Sequence, residues 1–321
     1  MHILITGAAG MLGRKLTRRL VEAGTLRGAA ISRLDLVDIV DSPIDAEFCT
    51  SRTADLTKLG VAADLVATMP DVIFHLAGVV SGEAEANFEK GMAVNLDGTR
   101  ALFDALRLAV GRPRVVFTSS IAVFGAPFPD PIPDDFHLTP LTSYGTEKMV
   151  CEALLADYSR RGFFDGVGIR LPTISVRPGL PNAAASGFFS GIIREPLAGV
   201  QADLPVSKDV RHSHGSPRTA IDYIVHAAEL DSSLLGPRRN LTMPGVSVTV
   251  GEQIEALGRV AGPEAVALIV EAADQAVAEI VAGWPERFDT RRAHDLGFRP
   301  DASYDDIIRV YLEDDFVQPV N

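Results

Sequence analysis

Tyr144 and Lys148 stand four residues apart in Tyr144-Gly145-Thr146-Glu147-Lys148, a spacing that puts both side chains on one face of a helix. A phenol near its ordinary pKa of about 10 is a poor base at neutral pH. A neighbouring ammonium favours the phenolate, so the pair reads as a general base with its activator. Ser120 precedes Tyr144 in Thr118-Ser119-Ser120 and can donate to an oxygen on which charge changes. Such a trio suits removal of an alcohol proton together with loss of hydride, which demands a redox cofactor.

A place for that cofactor lies at the start of the chain. Thr6-Gly7-Ala8-Ala9-Gly10-Met11-Leu12-Gly13 falls between an apolar run and a helical stretch. Glycines there let the backbone approach a pyrophosphate at the positive end of a helix. Asp38 closes the second apolar run. A carboxylate at that place accepts the adenosine ribose hydroxyls and repels a 2′-phosphate, which favours NAD over NADP. The plainer alternatives are a simple glycine turn and, for Asp38, a turn residue at a strand end.

The turn, with Thr6 before Gly7-x-x-Gly10-x-x-Gly13, is similar to that of the extended short-chain dehydrogenase/reductases, the NAD-dependent epimerase/dehydratase family. The resemblance implies catalytic roles for Ser120, Tyr144 and Lys148. It also implies cofactor contacts from Thr6, Gly7, Gly10, Met11, Leu12, Gly13, Asp38, Asp55, Leu56, Leu76, Ala77, Gly78, Asn95, Ser119, Tyr144, Lys148 and Pro172. Asp55 and Leu56 sit in Ala54-Asp55-Leu56, Leu76 to Gly78 in His75-Leu76-Ala77-Gly78, and Asn95 in Val94-Asn95-Leu96-Asp97-Gly98-Thr99. An Asn in mid-helix needs partners for its amide, which marks Asn95 independently.

The elements needed to position these groups are legible as alternation. Apolar runs at 3–6, 34–40, 72–76, 115–118 and 167–171 alternate with helical stretches at 11–23, 87–109 and 146–161. Continuous apolar runs suit strands buried on both faces, and the alternation points to βαβ units. The expected fold class is α/β, a Rossmann-type doubly wound parallel sheet with a smaller C-terminal substrate lobe. Residues 1–175 would form the NAD-binding domain, with 220–245 returning to it, and 176–321 the lobe. Helices are expected at 220–230, 249–260 and 264–282, with a short strand at 240–243. Prolines at 172, 178, 181, 196, 205 and 217 argue against long regular elements between 172 and 219.

Residues 171–179 and 181–197, with Ser81-Gly82-Glu83-Ala84-Glu85 and Ser216-Pro217-Arg218, resemble one branch of the family, dehydrogenases of small sugar acids. A sugar acid needs a cation for its carboxylate, and guanidinium groups bind carboxylates bidentately. Arg177, Arg194 and Arg218 are the candidates, Arg218 foremost because it opens a helix; Ser81, Ser120, Thr142 and Tyr144 could contact substrate hydroxyls. His212-Ser213-His214 reads as loop histidines at a pocket rim rather than a metal site, since no third ligand is suitably spaced. Glu271 and Asp274 read as a solvated face of one helix.

The 321 residues carry 30 Lys+Arg against 42 Asp+Glu, a net charge of −12, which disfavours nucleic-acid binding. Two cysteines cannot build a disulfide framework and fit a reducing cytoplasm. No stretch approaches the roughly 20 apolar residues of a spanning helix. The family resemblance implies a homodimer built through 87–109 and 146–161. Two other readings share these motifs: a nucleotide-sugar epimerase or dehydratase, and a non-catalytic NAD(H)-sensing protein. A Tyr144→Phe variant separates the last from the catalytic readings.

Overall fold

The computed structural model describes residues 1–42, 44, 46–179 and 186–317. The chain divides into two compact units: residues 1–123, 142–170 and 221–242 make the first, and 124–141, 171–220 and 243–321 the second. Residues 124–141, expected with the first domain, group with the second unit.

The first unit is built on a seven-stranded sheet: β1 (His2–Thr6), β2 (Arg33–Asp38), β3 (Cys49–Thr53), β4 (Val72–His75), β5 (Arg114–Ser120), β6 (Asp165–Leu171) and β7 (Asn240–Thr242). Their order is β7-β6-β5-β4-β1-β2-β3, the doubly wound arrangement. Thr6 pairs with Val37 on one side and His75 on the other, and His75 pairs with Phe117. The carboxyl ends of β1, β2, β4 and β5 are therefore level, where ligands gather at a switch in strand order. Leu4, Ile73, Val115 and Phe117 of the sheet pack with Leu102, Phe103, Leu106, Cys151 and Leu155 of the helices that cover it.

The polar edge strand β3 was not among the expected strands. Its CTSRT sequence leaves four of five residues exposed, so no apolar run announces it. The helical stretch expected at 87–109 contains three segments, Phe88–Gly91, a π-helical turn Met92–Gly98, and Thr99–Leu108. The catalytic candidates Tyr144 and Lys148 lie on Ser143–Arg160. That helix is pinned to the sheet by a buried pair: Arg170 of β6 donates to Glu152 at 2.8 Å, and Ser119 of β5 donates to Glu152 at 2.6 Å. Arg170 also donates to Thr242 of β7. Breaking such a pair from one side costs about 3–5 kcal/mol.

The second unit has its own core, in which Val176, Phe189, Ile192 and Ile193 meet Leu204, Val250, Leu257, Tyr304, Ile307 and Ile308. Strands Thr173–Ile174, Arg211–Gly215 and Val246–Thr249 form one small sheet. Three expectations are corrected here. Proline did not prevent a helix at Gly187–Leu197, because Pro196 sits in its last turn. The expected helix 264–282 is Pro263–Val266, strand Ile269–Glu271 and helix Gln275–Ala282. Glu271 and Asp274 thus share no helical face: Glu271 pairs with Lys208 at 2.6 Å, and Asp274 caps the last helix by accepting from Ala276 and Val277. Residues 181–185, part of the segment singled out for substrate, lie outside the described residues.

Candidate active site

The glycine turn joins β1 to the helix Met11–Ala23. A Cβ on Gly7 would lie 2.6 Å from the Ala77 nitrogen, and one on Gly13 would lie 2.1 Å from the Gly7 oxygen. Both glycines are required by the chain's own packing, and Gly7 also has φ +77°. Gly10 differs: a Cβ there would meet nothing closer than the Gly7 oxygen at 3.4 Å. No side chain caps the helix at Gly10, and its first turn, with Met11, Leu12 and Gly13, holds no acidic residue. Among the described residues no side chain takes up the backbone donors of that end, which leaves them for an anionic pyrophosphate.

Asp38, at the end of β2, accepts from the Ala9 nitrogen at 3.0 Å and its own neighbour Ile39 at 2.7 Å. Its carboxylate is thereby oriented at the turn. Asp55 accepts from the Thr57 nitrogen and hydroxyl at 2.9 and 2.8 Å, which hold its carboxyl below the usual range, and Leu56 packs against the core.

Thr6 and His75 form the floor. Thr99 donates to the Asn95 carbonyl at 2.7 Å, so its oxygen accepts from His75 Nε2 at 2.8 Å. The other ring nitrogen then accepts from the Thr6 hydroxyl at 2.7 Å. Burial, with the Lys148 charge nearby, pushes the His75 pKa down to about 3. The strip Leu76-Ala77-Gly78 begins with a bond from the Leu76 nitrogen to the Thr6 carbonyl.

Asn95 sits in the π-helical turn, 1% exposed, with every amide hydrogen-bonding group engaged. Its Oδ1 accepts from the Val79 nitrogen at 2.9 Å, and its Nδ2 donates to the Val79 carbonyl at 3.2 Å and to Glu147 at 2.6 Å.

Tyr144 lies in the first turn of Ser143–Arg160. Thr142 caps that helix by accepting from Gly145 at 3.0 Å, and Glu85 accepts from Ser143. Thr142, expected to touch substrate, therefore has its hydroxyl in a capping bond. Lys148 is 5% exposed; its Nζ donates to the Thr118 carbonyl at 2.9 Å and lies 5.7 Å from the Tyr144 ring centroid and 4.8 Å from that of Phe117. Burial pushes its ammonium below the ordinary lysine value, partly offset by Cys151, Glu147 and Glu152. Ser120 ends β5, two residues beyond Thr118, and its hydroxyl accepts from Ala122 at 3.2 Å. Ser119 instead turns its hydroxyl to the buried Glu152. Ser81 opens the short helix Ser81–Ala86.

Thus the first unit brings Lys148 against Tyr144, with Ser120 on the adjoining strand end and the glycine turn at the level strand ends beside it. A profile of the NAD dependent epimerase/dehydratase family matches residues 3–212. The chain belongs to that family. D-erythronate dehydrogenase from Cupriavidus necator is 48% identical over 319 residues, covering 98% of each chain. D-erythronate dehydrogenase from Haemophilus influenzae is 38% identical, covering 98% of this chain and all of the relative. A solved structure described as a nucleoside-diphosphate-sugar epimerase from Agrobacterium tumefaciens is 58% identical, with TM-score 0.95, covering 98% of this chain and 94% of that one. As a member of the epimerase/dehydratase family the protein is an NAD-dependent oxidoreductase. The uncapped helix end at Gly10 and the oriented Asp38 fit NAD: Gly7, Gly10, Met11, Leu12 and Gly13 would hold the pyrophosphate and Asp38 the ribose.

In the second unit the sequence-based site residues are placed differently. Arg218 is 44% exposed and pairs with Asp314 at 2.6 Å and Glu313 at 2.9 Å. These carboxylates raise its pKa and hold its guanidinium, so the chain itself partners the Arg218 fork. Arg177 donates to Ser186 at 3.1 Å, and Arg194 donates to the Arg177 carbonyl and pairs with Glu195. Pro172 belongs to this unit too. His212 and His214 are not loop residues; they lie on Arg211–Gly215, 2% and 0% exposed. His212 bonds Thr173 at 2.7 Å and the Pro285 carbonyl at 3.0 Å, and stacks on Phe189. His214 bonds Ser175 and Gln253. Burial holds both imidazoles neutral, His212 down to about 4.

Sequence reasoning passed over Glu85, Glu147 and Glu152. The buried residues of the helix Ser143–Arg160, 145, 147, 148, 151, 152, 155 and 159, follow a helical stripe. For Glu147 and Glu152, charged residues on that stripe were the available signal.

Proposed function

We propose that the protein oxidises a hydroxyl of D-erythronate, a four-carbon sugar acid, to its 2-keto acid with NAD⁺. The observation that carries the substrate is the 48% identity, end to end, to a D-erythronate dehydrogenase; the observation that carries the chemistry is the Lys148–Tyr144 contact beside Ser120. Bound NAD⁺ supplies the hydride acceptor. Tyr144 takes the hydroxyl proton as general base. The buried Lys148 ammonium, fixed by the Thr118 carbonyl, favours the phenolate through its charge. Ser120 donates to the reacting oxygen and orients it. With Arg218 paired on the surface, Arg177 is the guanidinium assigned to the substrate carboxylate.

A cytoplasmic homodimer is part of the proposal. Val80, Phe88 and Leu108, on or beside the helical stretch from 88 to 108, are 39%, 53% and 75% exposed, the apolar surface a partner would cover. Cys49 and Cys151 are free thiols, as a reducing compartment maintains. Sedimentation at micromolar concentration tests the dimer.

The second reading is a nucleotide-sugar epimerase, favoured by the description of the 58% identical structure. The decisive assay supplies NAD⁺ with D-erythronate, or with UDP- and dTDP-sugars. Steady growth of NADH absorbance with D-erythronate is expected. Interconversion of nucleotide sugars without net NADH would replace the proposal by the epimerase reading.

A further inference from the structure

Glu147 lies between Tyr144 and Lys148 in the chain, and nothing in the proposed chemistry uses it. It is 0% exposed. Its Oε2 accepts from Asn95 at 2.6 Å, while its buried Oε1 has no hydrogen-bond partner among the described residues. A carboxyl buried with one oxygen unsatisfied is costly, and a chain avoids it unless the group is put to use.

The surroundings are built around this carboxyl. A Cβ on Gly91 would lie 2.4 Å from Glu147 Oε1 and 3.0 Å from the Ala84 Cβ, so residue 91 has no side chain where the carboxyl needs room. Burial pushes the Glu147 carboxyl above its ordinary value. The Asn95 bond and the Lys148 charge pull it back, and Glu85 pushes it further.

The consequence runs through Asn95. Glu147 accepts a hydrogen bond from one N–H of the Asn95 amide, and the rest of that amide clamps the Val79 backbone at both its N–H and C=O. Val79 directly follows Gly78, where a Cβ would stand 2.8 Å from Asn95 Oδ1 and 3.7 Å from Lys148 Nζ. The amide therefore fixes the Leu76-Ala77-Gly78 strip against the catalytic lysine.

We infer that Glu147 is a positioning residue: its carboxyl orients Asn95, and through Asn95 it holds the Leu76–Gly78 strip in the conformation that receives NAD. The inference rests on the NAD-dependent reading of this site, not on the identity of the sugar acid.

The test measures NADH binding to the purified full chain by fluorescence, without any sugar acid, together with thermal melting and steady-state kinetics. Glu147→Gln keeps an acceptor for Asn95 and should bind NADH within about twofold of wild type. Glu147→Ala removes it and should weaken NADH binding about tenfold, with KM for NAD raised and KM for the sugar acid unchanged. A general loss of structure would move both KM values; this split would not follow from it. Gly91→Ala pushes the carboxyl from Asn95 and serves if Glu147→Ala does not fold; it should weaken NADH binding similarly. A folded Glu147→Ala with wild-type affinity, or a Glu147→Gln as weak as Glu147→Ala, overturns the inference. So does a Gly91→Ala that binds NADH normally. A wild-type protein that binds NADH but ignores D-erythronate would sink the substrate proposal and leave this one standing.

Discussion

Two places in the molecule carry residues whose types and spacing look chemical: Tyr144 to Lys148 in the first unit and His212 to His214 in the second. Their surroundings separate them. Lys148 makes one hydrogen bond, to Thr118, and otherwise lies against the Phe117 and Tyr144 rings. Nearby, the helix beginning at Met11 has no side-chain cap. In the second unit every ring nitrogen of both histidines has a partner, Arg218 holds two carboxylates, and Asp274 caps a helix. Binding capacity left unused by the chain marks a site; capacity the chain itself consumes marks architecture.

The largest expected effect breaks or keeps the first half of that contrast. Tyr144→Phe should lower kcat by about 10²–10⁴-fold, the usual worth of a positioned acid–base group. NADH affinity should stay within about twofold, because the hydroxyl alone is lost. Steady-state rates and a fluorescence titration check both numbers. Undiminished turnover would remove the phenol from the chemistry.

Acid stability tests the second half, with His75 of the first unit adding to the same slope. The folded pKa of His75 is about 3 and that of His212 about 4, and His214 is also depressed. An unfolded imidazole titrates near 6.5. Between pH 6.5 and about 4 the unfolded chain therefore binds more protons, and stability falls as pH falls; above 6.5 this contribution is fully present. Three such groups give a slope approaching about 4 kcal/mol per pH unit. Urea unfolding at pH 7 and pH 5 should show a marked drop in midpoint. No drop would mean that the histidines are reachable by protons in the folded state, and the architectural reading would fail.

The contrast also explains what could be read in advance. Strands β1, β4 and β5 are buried on both faces, so their apolar runs stand out in the sequence. Edge strand β3 has polar residues facing water and left no pattern. The candidate trio and the glycine turn stood out in the sequence because the chemistry proposed for them dictates residue type and spacing together. His212 and His214 were expected in a loop, because nothing in the neighbouring sequence announces an imidazole buried and neutral on a strand. Its partners Thr173, Pro285, Ser175 and Gln253 come from segments far along the chain. The ion pairs of Arg218 were hidden for the same reason, its partners lying about a hundred residues away.

Within the glycine turn the same distinction predicts a smaller, sharper difference. Gly13→Ala forces a Cβ to 2.1 Å from the Gly7 oxygen, so overpacking should cost about 1–3 kcal/mol of stability. Gly10→Ala meets its own chain only at 3.4 Å. It should melt within a degree or two of wild type while NADH binding weakens about tenfold. Equal binding by Gly10→Ala would show that the turn's outer glycine faces no ligand.

The smallest expected effect belongs to Arg218. An exposed ion pair is worth under about 1 kcal/mol, so Arg218→Ala should scarcely move the melting temperature. A guanidinium anchoring a substrate carboxylate contributes roughly 1.5–3 kcal/mol, or about 10–100-fold in affinity. Because Glu313 and Asp314 already hold this guanidinium, KM for the sugar acid should change less than about twofold. Arg177→Ala, measured beside it, should raise that KM by at least about tenfold. If the two variants exchanged these outcomes, a guanidinium already held by two carboxylates would be binding substrate, and the assignment of Arg177 to the substrate carboxylate would fall.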